Sequence, residues 1–226
     1  MTFVKRMAWN LFLPDRQKGC SLMNEHERFS TRRPGIIGGQ HFHQYSVLIP
    51  LILASDDIYL LFEKRSGSLK HQPGEICFPG GKQEKNESFE ECALRETMEE
   101  LLVSSEQIEI FGPGDVYISP FNQILHSFIG TLHNYQNTFS TDEVEKLIKI
   151  PLNFFRKQEP EKYDSSVINC PPENFPYDSI PHGEQYPWKK GTHEILFYHY
   201  EDTILWGMTA QIAKSAVDLI DEYHLL

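Results

Sequence analysis

The fold and chemistry of this 226-residue chain are decided by residues 81–102, which read GKQEKNESFEECALRETMEELL. From Ser88 to Leu102 the stretch contains no Pro or Gly. Its apolar residues recur near one stripe at helical period, namely at Ala93, Leu94, Met98, Leu101 and Leu102. The pattern predicts an amphipathic helix that follows a glycine turn at Gly81.

The predicted helix carries three acids on one face, because Glu96, Glu99 and Glu100 stand at i, i+3 and i+4. Like charges at these spacings destabilise an isolated helix by roughly 0.2–0.5 kcal/mol per pair, so a positive group should compensate. Carboxylates one turn apart can reach a common hard cation and leave positions open for water and phosphate oxygens. The spacing therefore indicates a site for Mg²⁺ or Mn²⁺, and the alternative is a solvated acidic face.

Arg95 lies beside these acids, eight residues after Glu87. We expect its guanidinium to bridge back to Glu87 rather than to join the acidic face, because a guanidinium and a carboxylate pair well through two hydrogen bonds. Such a bridge would hold the glycine loop against the helix.

The whole pattern is Gly, five residues, Glu, seven residues, Arg-Glu, two residues, Glu-Glu. It resembles the signature of the Nudix hydrolases, which cleave nucleoside diphosphates linked to another moiety. Two positions depart from that signature: Thr97 stands where an aliphatic residue is usual, and Leu101 stands where Gly is usual. The Leu101 departure concerns the turn that follows the helix.

The resemblance has consequences for fold and site. It implies an α/β fold, an α/β/α sandwich with a central mixed sheet, and a divalent cation, Mg²⁺ or Mn²⁺, as cofactor. The acids of the helix face would be the metal ligands, with Glu96 also the base within the signature, and Arg95 and Glu87 would orient them. An acid outside the signature is a further candidate base, either Glu143 or Glu145, for both of which a solvated helix end is the alternative.

A second motif lies immediately upstream and comprises residues 60–66 (LLFEKRS), residues 69–71 (LKH), Gly74 and residues 78–81 (FPGG). It resembles the motif that precedes the Nudix signature in the coenzyme A pyrophosphatase branch, where an Arg is usual at the position of Lys70. A segment near the C-terminus, residues 206–210 (WGMTA), resembles a Trp-Gly-x-Thr-Ala segment of that branch. The resemblance covers roughly residues 44–210 and implies substrate binding by Arg65, Lys70, Gly74, Phe78, Gly80 and Gly81. Ordinary surface exposure is the alternative for Arg65 and Lys70.

The resemblance implies metal-dependent hydrolysis of the pyrophosphate bond of coenzyme A or its thioesters, giving 3′,5′-ADP and 4′-phosphopantetheine or its acyl derivative. One alternative keeps the chemistry and changes the small-molecule substrate to ADP-ribose, NADH, a nucleotide sugar or a nucleoside triphosphate. Another is a non-catalytic nucleotide-sensing or partner-binding module. Three strand residues are candidate substrate contacts, with ordinary packing as the alternative: His126, His193 and Tyr198.

The charge and cysteine content of the chain limit its possible binding partners and cellular compartment. With 21 basic and 32 acidic residues the formal net charge is −11, which argues against binding nucleic acid or anionic membranes. The four cysteines form no Cys-x-x-Cys pair, so we expect a reducing cytosol and no disulfide framework or zinc site. No targeting or membrane-spanning segment is predicted. Nothing in the sequence indicates the oligomeric state.

Along the chain we expect a polar N-terminal arm over residues 1–40 and a Nudix hydrolase domain over residues 41–226. Hydrophobic patterning predicts six strands, over residues 45–53, 58–62, 108–111, 116–118, 124–132 and 193–200, the first two joined around residues 55–57. A proline-rich loop or lid is predicted over residues 171–188 and a second helix over residues 207–223.

Overall fold

The computed structural model describes residues 29–32, 34–55 and 57–226. Residues 1–28 of the predicted arm, Arg33 and the turn residue Asp56 lie outside the described residues. A boundary between two units falls between Phe42 and His43. The described part of the first unit contains a short 3₁₀ helix, Gly39–His41.

The second unit contains ten strands and three α-helices among its described residues. Seven strands form the main sheet: β1 (His43–Leu53), β2 (Ile58–Arg65), β3 (Ile76–Cys77), β4 (Gly80–Lys82), β5 (Ile108–Ser119), β6 (Gln123–Leu132) and β7 (Val144–Pro151). Three form a smaller sheet: β8 (Glu161–Val167), β9 (Gly191–Tyr200) and β10 (Thr203–Trp206). The helices are α1 (Phe89–Leu101), α2 (Leu152–Lys157) and α3 (Gly207–Tyr223).

The main sheet is mixed and is organised around β1. One edge of β1 pairs in parallel with β6, from His43 opposite Gln123 to Leu51 opposite Thr131. Its other edge is shared by two antiparallel partners, β4 beside the first half of β1 and β2 beside the last residues. β2 also pairs with β3 and β7, and β5 pairs with β6, all antiparallel.

Both faces of this sheet are covered, because successive residues of a strand point to opposite sides. Val47, Ile49 and Leu51 of β1 pack in a core cluster with residues of α2 and α3. Leu48 lies in the opposite cluster, with residues of α1. The predicted α/β/α sandwich with a central mixed sheet is therefore confirmed.

Several details differ from the predicted elements, and β3, β4, β7 and β10 were not predicted as strands. The two short strands predicted between residues 108 and 118 are one continuous strand, β5, with register shifts around residues 110–116. Strand β8 was not predicted, because nearly all of its side chains are exposed and it lacks an apolar alternation. Helix α2, only six residues long, was also missed.

Helix α1 begins and ends at residues with identifiable roles. Ser88 caps its N-terminus in a reciprocal pair of hydrogen bonds with Glu91, a capping box. At the two positions that depart from the Nudix signature, Thr97 is fully buried and donates its hydroxyl to the carbonyl of Ala93, and Leu101 lies in the core. The chain turns one residue later, where Leu102 adopts the left-handed conformation with φ 52° and ψ 47°.

Replacing Leu102 by Gly should raise the free energy of unfolding by about 1 kcal/mol, because a left-handed conformation costs a side-chain-bearing residue roughly that much. Leu102 is 58% exposed, so little buried surface is lost. Urea denaturation measures the change. Leu102→Ala keeps the strain and is the matched control, and equal stability of the two variants would contradict the expectation.

Candidate active site

The centre of the site is the contact of the glycine loop with β1 and α1. A Cβ atom on Gly80 would lie 2.3 Å from the carbonyl oxygen of Ser46, and Gly80 has φ 153°. A Cβ atom on Gly81 would lie 2.4 Å from the carboxylate of Glu96. The amide of Gly80 donates to Oε2 of Glu100 at 2.8 Å. Gly80 therefore requires glycine, whereas a side chain at Gly81 would displace the carboxylate of Glu96.

Arg95 clamps the other end of this loop. Its Nε and Nη2 donate to the two carboxylate oxygens of Glu87 at 3.2 and 3.0 Å, as the spacing predicted. The expectation that it would not join the acidic face is wrong, because Nη1 lies 2.8 Å from Oε1 of Glu96 and 3.3 Å from Oε2 of Glu99. One guanidinium therefore compensates three carboxylates, and its hydrogen bonds lower the pKa of Glu87.

The three acids of the helix face differ strongly in environment. The side chain of Glu99 is 58% exposed, that of Glu96 is 16% exposed, and Glu100 is fully buried. Burial raises the pKa of Glu96, although Arg95 opposes the shift. Burial and the neighbouring carboxylate of Glu63 raise the pKa of Glu100 further. The face therefore carries a buried carboxyl group, whose protonated form is favoured, at one end and a solvent-exposed carboxylate at the other.

Glu63 was not predicted as a site residue. It lies in β2 with a side chain that is 1% exposed, and its Oε1 accepts a hydrogen bond from the thiol of Cys77 at 3.5 Å. Burial raises its pKa, and the charges of Glu143 add to the effect. A sequence signal did exist, since an acid interrupts the apolar run that forms β2. Its closeness to Glu100 depends on how β2 and α1 pack, which no local pattern encodes.

Glu143 and Glu145, the candidate bases outside the signature, interact with different groups. The charge of Glu143 acts on Glu63, Glu96 and Glu100. Glu145 pairs instead with Nζ of Lys64 at 2.6 Å. Both are exposed, as the alternative expected, but neither lies at a helix end, since Glu143 lies in the turn before β7 and Glu145 lies in β7.

The chemistry of this donor set fits a hard divalent cation. Carboxylates crowd together, and Oε2 of Glu63 is buried without a hydrogen-bond partner. Oxygen donors of this kind are what Mg²⁺ and Mn²⁺ prefer. Within the described residues, however, no three His, Cys, Asp or Glu side chains converge closely enough to hold an ion. The assignment of Glu96, Glu99 and Glu100 as ligands stays a prediction.

The predicted substrate residues lie around the loop that joins β2 to β4. Gly74 adopts φ 76° and donates its amide to the carbonyl of Arg65, which makes the turn before β3. Lys70 is exposed, while Nε of Arg65 is buried without a hydrogen-bond partner. Phe78 is 2% exposed and stacks on Phe62 at 4.5 Å, so its side chain packs in the core.

His126 and Tyr198, two of the candidate substrate contacts, are core residues. His126 is 4% exposed and lies against the ring of Phe89 at a centroid distance of 3.6 Å. Tyr198 is 2% exposed and packs edge-on against Phe155. His193 is partly exposed and lies near Phe121 in an edge-on arrangement. His126 and Tyr198 are therefore packed in the core, which was the alternative to substrate contact for these residues.

The C-terminal segment 206–210 contacts the short strand that leads into the glycine loop. Thr209, in the first turn of α3, donates its hydroxyl to the carbonyl of Ile76 in β3 at 3.0 Å. Strand β3 has only two residues and leads directly into the loop at residues 78–81. The segment therefore anchors the strand from which the loop departs.

These features define an α/β domain in which a glycine loop and an acid-bearing helix form one polar site. The NUDIX domain profile matches residues 42–166, just over half of the chain. The chain therefore belongs to the NUDIX family.

Relatives of known name show the same likeness. The chain is 34% identical over 129 residues to the peroxisomal coenzyme A diphosphatase NUDT7 of Mus musculus, a match that covers 54% of this chain and 55% of that protein. The match thus spans only about half of the mouse relative. Nudix hydrolase 3 of Caenorhabditis elegans is 28% identical over 186 residues, covering 78% of this chain and 72% of that protein.

Among solved structures, a MutT/nudix family protein from Enterococcus faecalis aligns with a TM-score of 0.47 at 17% identity, covering 86% of this chain and 67% of that one.

In the part of the chain that the structure describes, no helix is long and apolar enough to cross a membrane.

Replacing Thr209 by Val should lower the free energy of unfolding by about 1 kcal/mol, because the carbonyl of Ile76 loses its hydroxyl donor at a largely buried position. Thr209→Ser retains the hydroxyl and should lose less. Thermal unfolding of the two variants measures the difference. A Val variant as stable as the wild-type protein would show that this hydrogen bond contributes nothing.

His126 should make the protein acid-sensitive, because burial lowers its pKa to about 4 from the ordinary value of 6.5. The unfolded chain takes up a proton as the pH falls through 6.5, whereas the folded chain does so only near 4. Stability should therefore decline between those pH values, by on the order of 3 kcal/mol in total.

His126→Gln should lack this contribution, so the stability difference between wild type and variant should change across that pH range. The measurement is chemical denaturation at several pH values. The acids of the site titrate in both proteins and cancel from the difference. A difference that does not vary with pH would contradict the assignment.

Proposed function

We propose that this chain hydrolyses the pyrophosphate bond of coenzyme A or its thioesters in a metal-dependent reaction. Water adds to one phosphorus atom and the bond from that phosphorus to the bridging oxygen breaks, which yields 3′,5′-ADP and 4′-phosphopantetheine or its acyl derivative. The observation that carries the hydrolase part is the glycine loop held directly against the acids of α1. The substrate rests on the motif upstream of the loop.

Glu96, Glu99 and Glu100 would hold the cation, which when bound neutralises phosphate charge and lowers the pKa of a bound water. The amide of Gly80 holds the carboxylate of Glu100, so this side chain cannot swing away from the loop. Arg95 restrains Glu96 and Glu99 in the same way. The acids are thus positioned before any substrate arrives, which favours catalysis.

A base is needed to accept the proton of the attacking water. Glu96 is the proposed base within the signature, and Glu143 is the proposed alternative outside it. The exposed position of Glu143 in a turn favours it over Glu145, which is held by Lys64. The turn is fixed to the site by its backbone, because Ser66 donates its amide to the carbonyl of Glu143 at 2.7 Å.

Coenzyme A carries a pyrophosphate and a 3′-phosphate, so an acidic protein must supply local cations to bind it. Arg65, Lys70, His71 and Lys82 all lie in the β2–β4 region of the chain, which contains the glycine loop. The name of the mouse relative, a coenzyme A diphosphatase, supports the same substrate class. ADP-ribose, NADH, other nucleotides and a non-catalytic binding role are the outcomes against which the proposal is tested.

The compartment proposed from the cysteines is a reducing cytosol. Cys77, Cys92 and Cys170 are free thiols, and burial raises the pKa of Cys92 to about 12, which makes it a poor nucleophile. The mouse relative is named as peroxisomal, a compartment that belongs to that protein.

An assay of the purified chain with Mg²⁺ or Mn²⁺ should release 3′,5′-ADP from coenzyme A in preference to products from ADP-ribose, NADH or a nucleoside triphosphate. Products are resolved by chromatography. Preference for another of these substrates would overturn the coenzyme A assignment and leave a Nudix hydrolase. The absence of a metal-dependent product from all four would count against the enzymatic proposal.

Glu99→Gln and Glu100→Gln should each abolish most turnover while the protein stays folded. Loss of groups that only support metal ligands already costs about ten- to a hundredfold, so loss of a ligand should cost at least as much. Glu90→Gln, an exposed acid on the same helix, is the matched control. A Glu99 or Glu100 variant with the wild-type rate would remove that residue from the ligand set.

A further inference from the structure

The connection between β6 and β7, residues 133–143, supplies hydrogen-bond donors to the C-terminal end of α1. The last carbonyl groups of a helix have no partner within the helix and need one elsewhere. The hydroxyl of Thr138 donates to the carbonyl of Leu101 at 2.7 Å, and the amide of Ser140 donates to the carbonyl of Glu100 at 2.8 Å. The connection is therefore fastened to α1 at a residue that carries one of the proposed ligands.

The same connection carries Glu143 at its end. The amide of Glu143 donates to the carbonyl of Ser140 at 3.3 Å, and its carbonyl accepts the amide of Ser66, the residue after β2, at 2.7 Å. Backbone hydrogen bonds thus lead from Glu100 to the turn that carries Glu143 and on to the end of β2. The charge of Glu143 raises the pKa of Glu96 and of Glu100, so its carboxylate lies within electrostatic range of the acidic face.

Thr138 contacts the end of α1 through its side chain and the core through its backbone. Its hydroxyl also lies 3.5 Å from the carbonyl of Leu102, and its own carbonyl accepts a hydrogen bond from the hydroxyl of Tyr135. The ring of Tyr135 packs against the core cluster that contains residues of α1. Thr138 itself is exposed, so a change of its side chain removes the hydroxyl contact and little buried surface.

We propose that Thr138 is a positioning residue for the hydrolysis, because it holds the β6–β7 connection on α1 and so sets where the carboxylate of Glu143 lies relative to the acids of that helix. The inference rests on the proposed function and takes Glu143 as the base that accepts the proton of the attacking water. A base must lie within hydrogen-bond reach of that proton, directly or through one water. Misplacement of a catalytic group by about 1 Å can cost about a hundredfold in rate.

The experiment compares Thr138→Val and Thr138→Ser as purified full chains, with Mn²⁺ and coenzyme A or whichever of the four substrates the wild-type protein cleaves. Thr138→Val should lower kcat by about ten- to a hundredfold and leave KM nearly unchanged, because the position of the base affects the chemical step and not substrate binding. Thr138→Ser keeps the hydroxyl and should recover most of the rate. Thr192→Val, at an exposed threonine of β9, is the matched control and should keep the wild-type kcat.

Glu143→Gln and its combination with Thr138→Val test the route by which Thr138 acts. Glu143→Gln should lower kcat, and adding Thr138→Val should cost little more, because changes that act through one group are not additive. Thermal unfolding checks that each variant is folded at the assay temperature. A folded Thr138→Val protein with the wild-type kcat would overturn the inference, as would a Ser variant as slow as the Val variant or fully additive losses in the combination.

Amide hydrogen exchange gives a second readout that does not depend on activity. In Thr138→Val the amides of Ser140 and Glu143 should exchange faster than in the wild-type protein, because the connection opens more often once the hydroxyl is lost. Unchanged exchange at both amides would also overturn the inference. A wild-type protein that hydrolyses none of the four substrates would count against the proposed function itself, a result distinct from any difference among the variants.

Discussion

The structure depends on one constraint, the absence of side chains where the glycine loop passes between β1 and α1. At Gly80 a methyl group would overlap the backbone of Ser46 and Val47, and at Gly81 it would overlap the carboxylate of Glu96. Because backbone cannot be pushed aside cheaply, a side chain at Gly80 would separate the loop from β1. A side chain at Gly81 would instead displace the carboxylate of Glu96 from its place against the loop.

This close approach brings several carboxyl groups together, and their hydrogen-bond and ion-pair partners differ between the two sides of the site. At the solvent side Arg95 pairs with Glu87, Glu96 and Glu99 at once. At the inner side Glu63 and Glu100 have an amide and a thiol as donors. Burial raises the pKa of both inner acids and so favours their protonated forms, a perturbation that is common at functional sites.

Helix α1, its acids and the central strands could be predicted from the sequence, because periodicity and capping are local properties. Ser88 and the apolar stripe of α1 are enough to define the helix. The depth of Glu63 could not be predicted, because it depends on β2 lying between β1 and β7 while α1 covers one face. The pairing of Arg95 with the acidic face was mispredicted for a similar reason, since a long side chain can reach three carboxylates that sequence spacing alone does not rank.

The parallel pairing of β1 with β6 has a consequence for how the chain folds. In the sequence, β1 lies before the acid-bearing helix and β6 lies after it. The pairing of β2 with β3 and the capping of α1 join residues that are close in sequence, so they can form early. The pairing of β1 with β6 joins distant residues and can form only after β6 has been made. Closing so long a segment costs entropy before any contact repays it, and topologies of this kind fold slowly. Until β6 arrives, the apolar central strand exposes an unpaired edge, and this is the stage at which a newly made chain is most prone to aggregate.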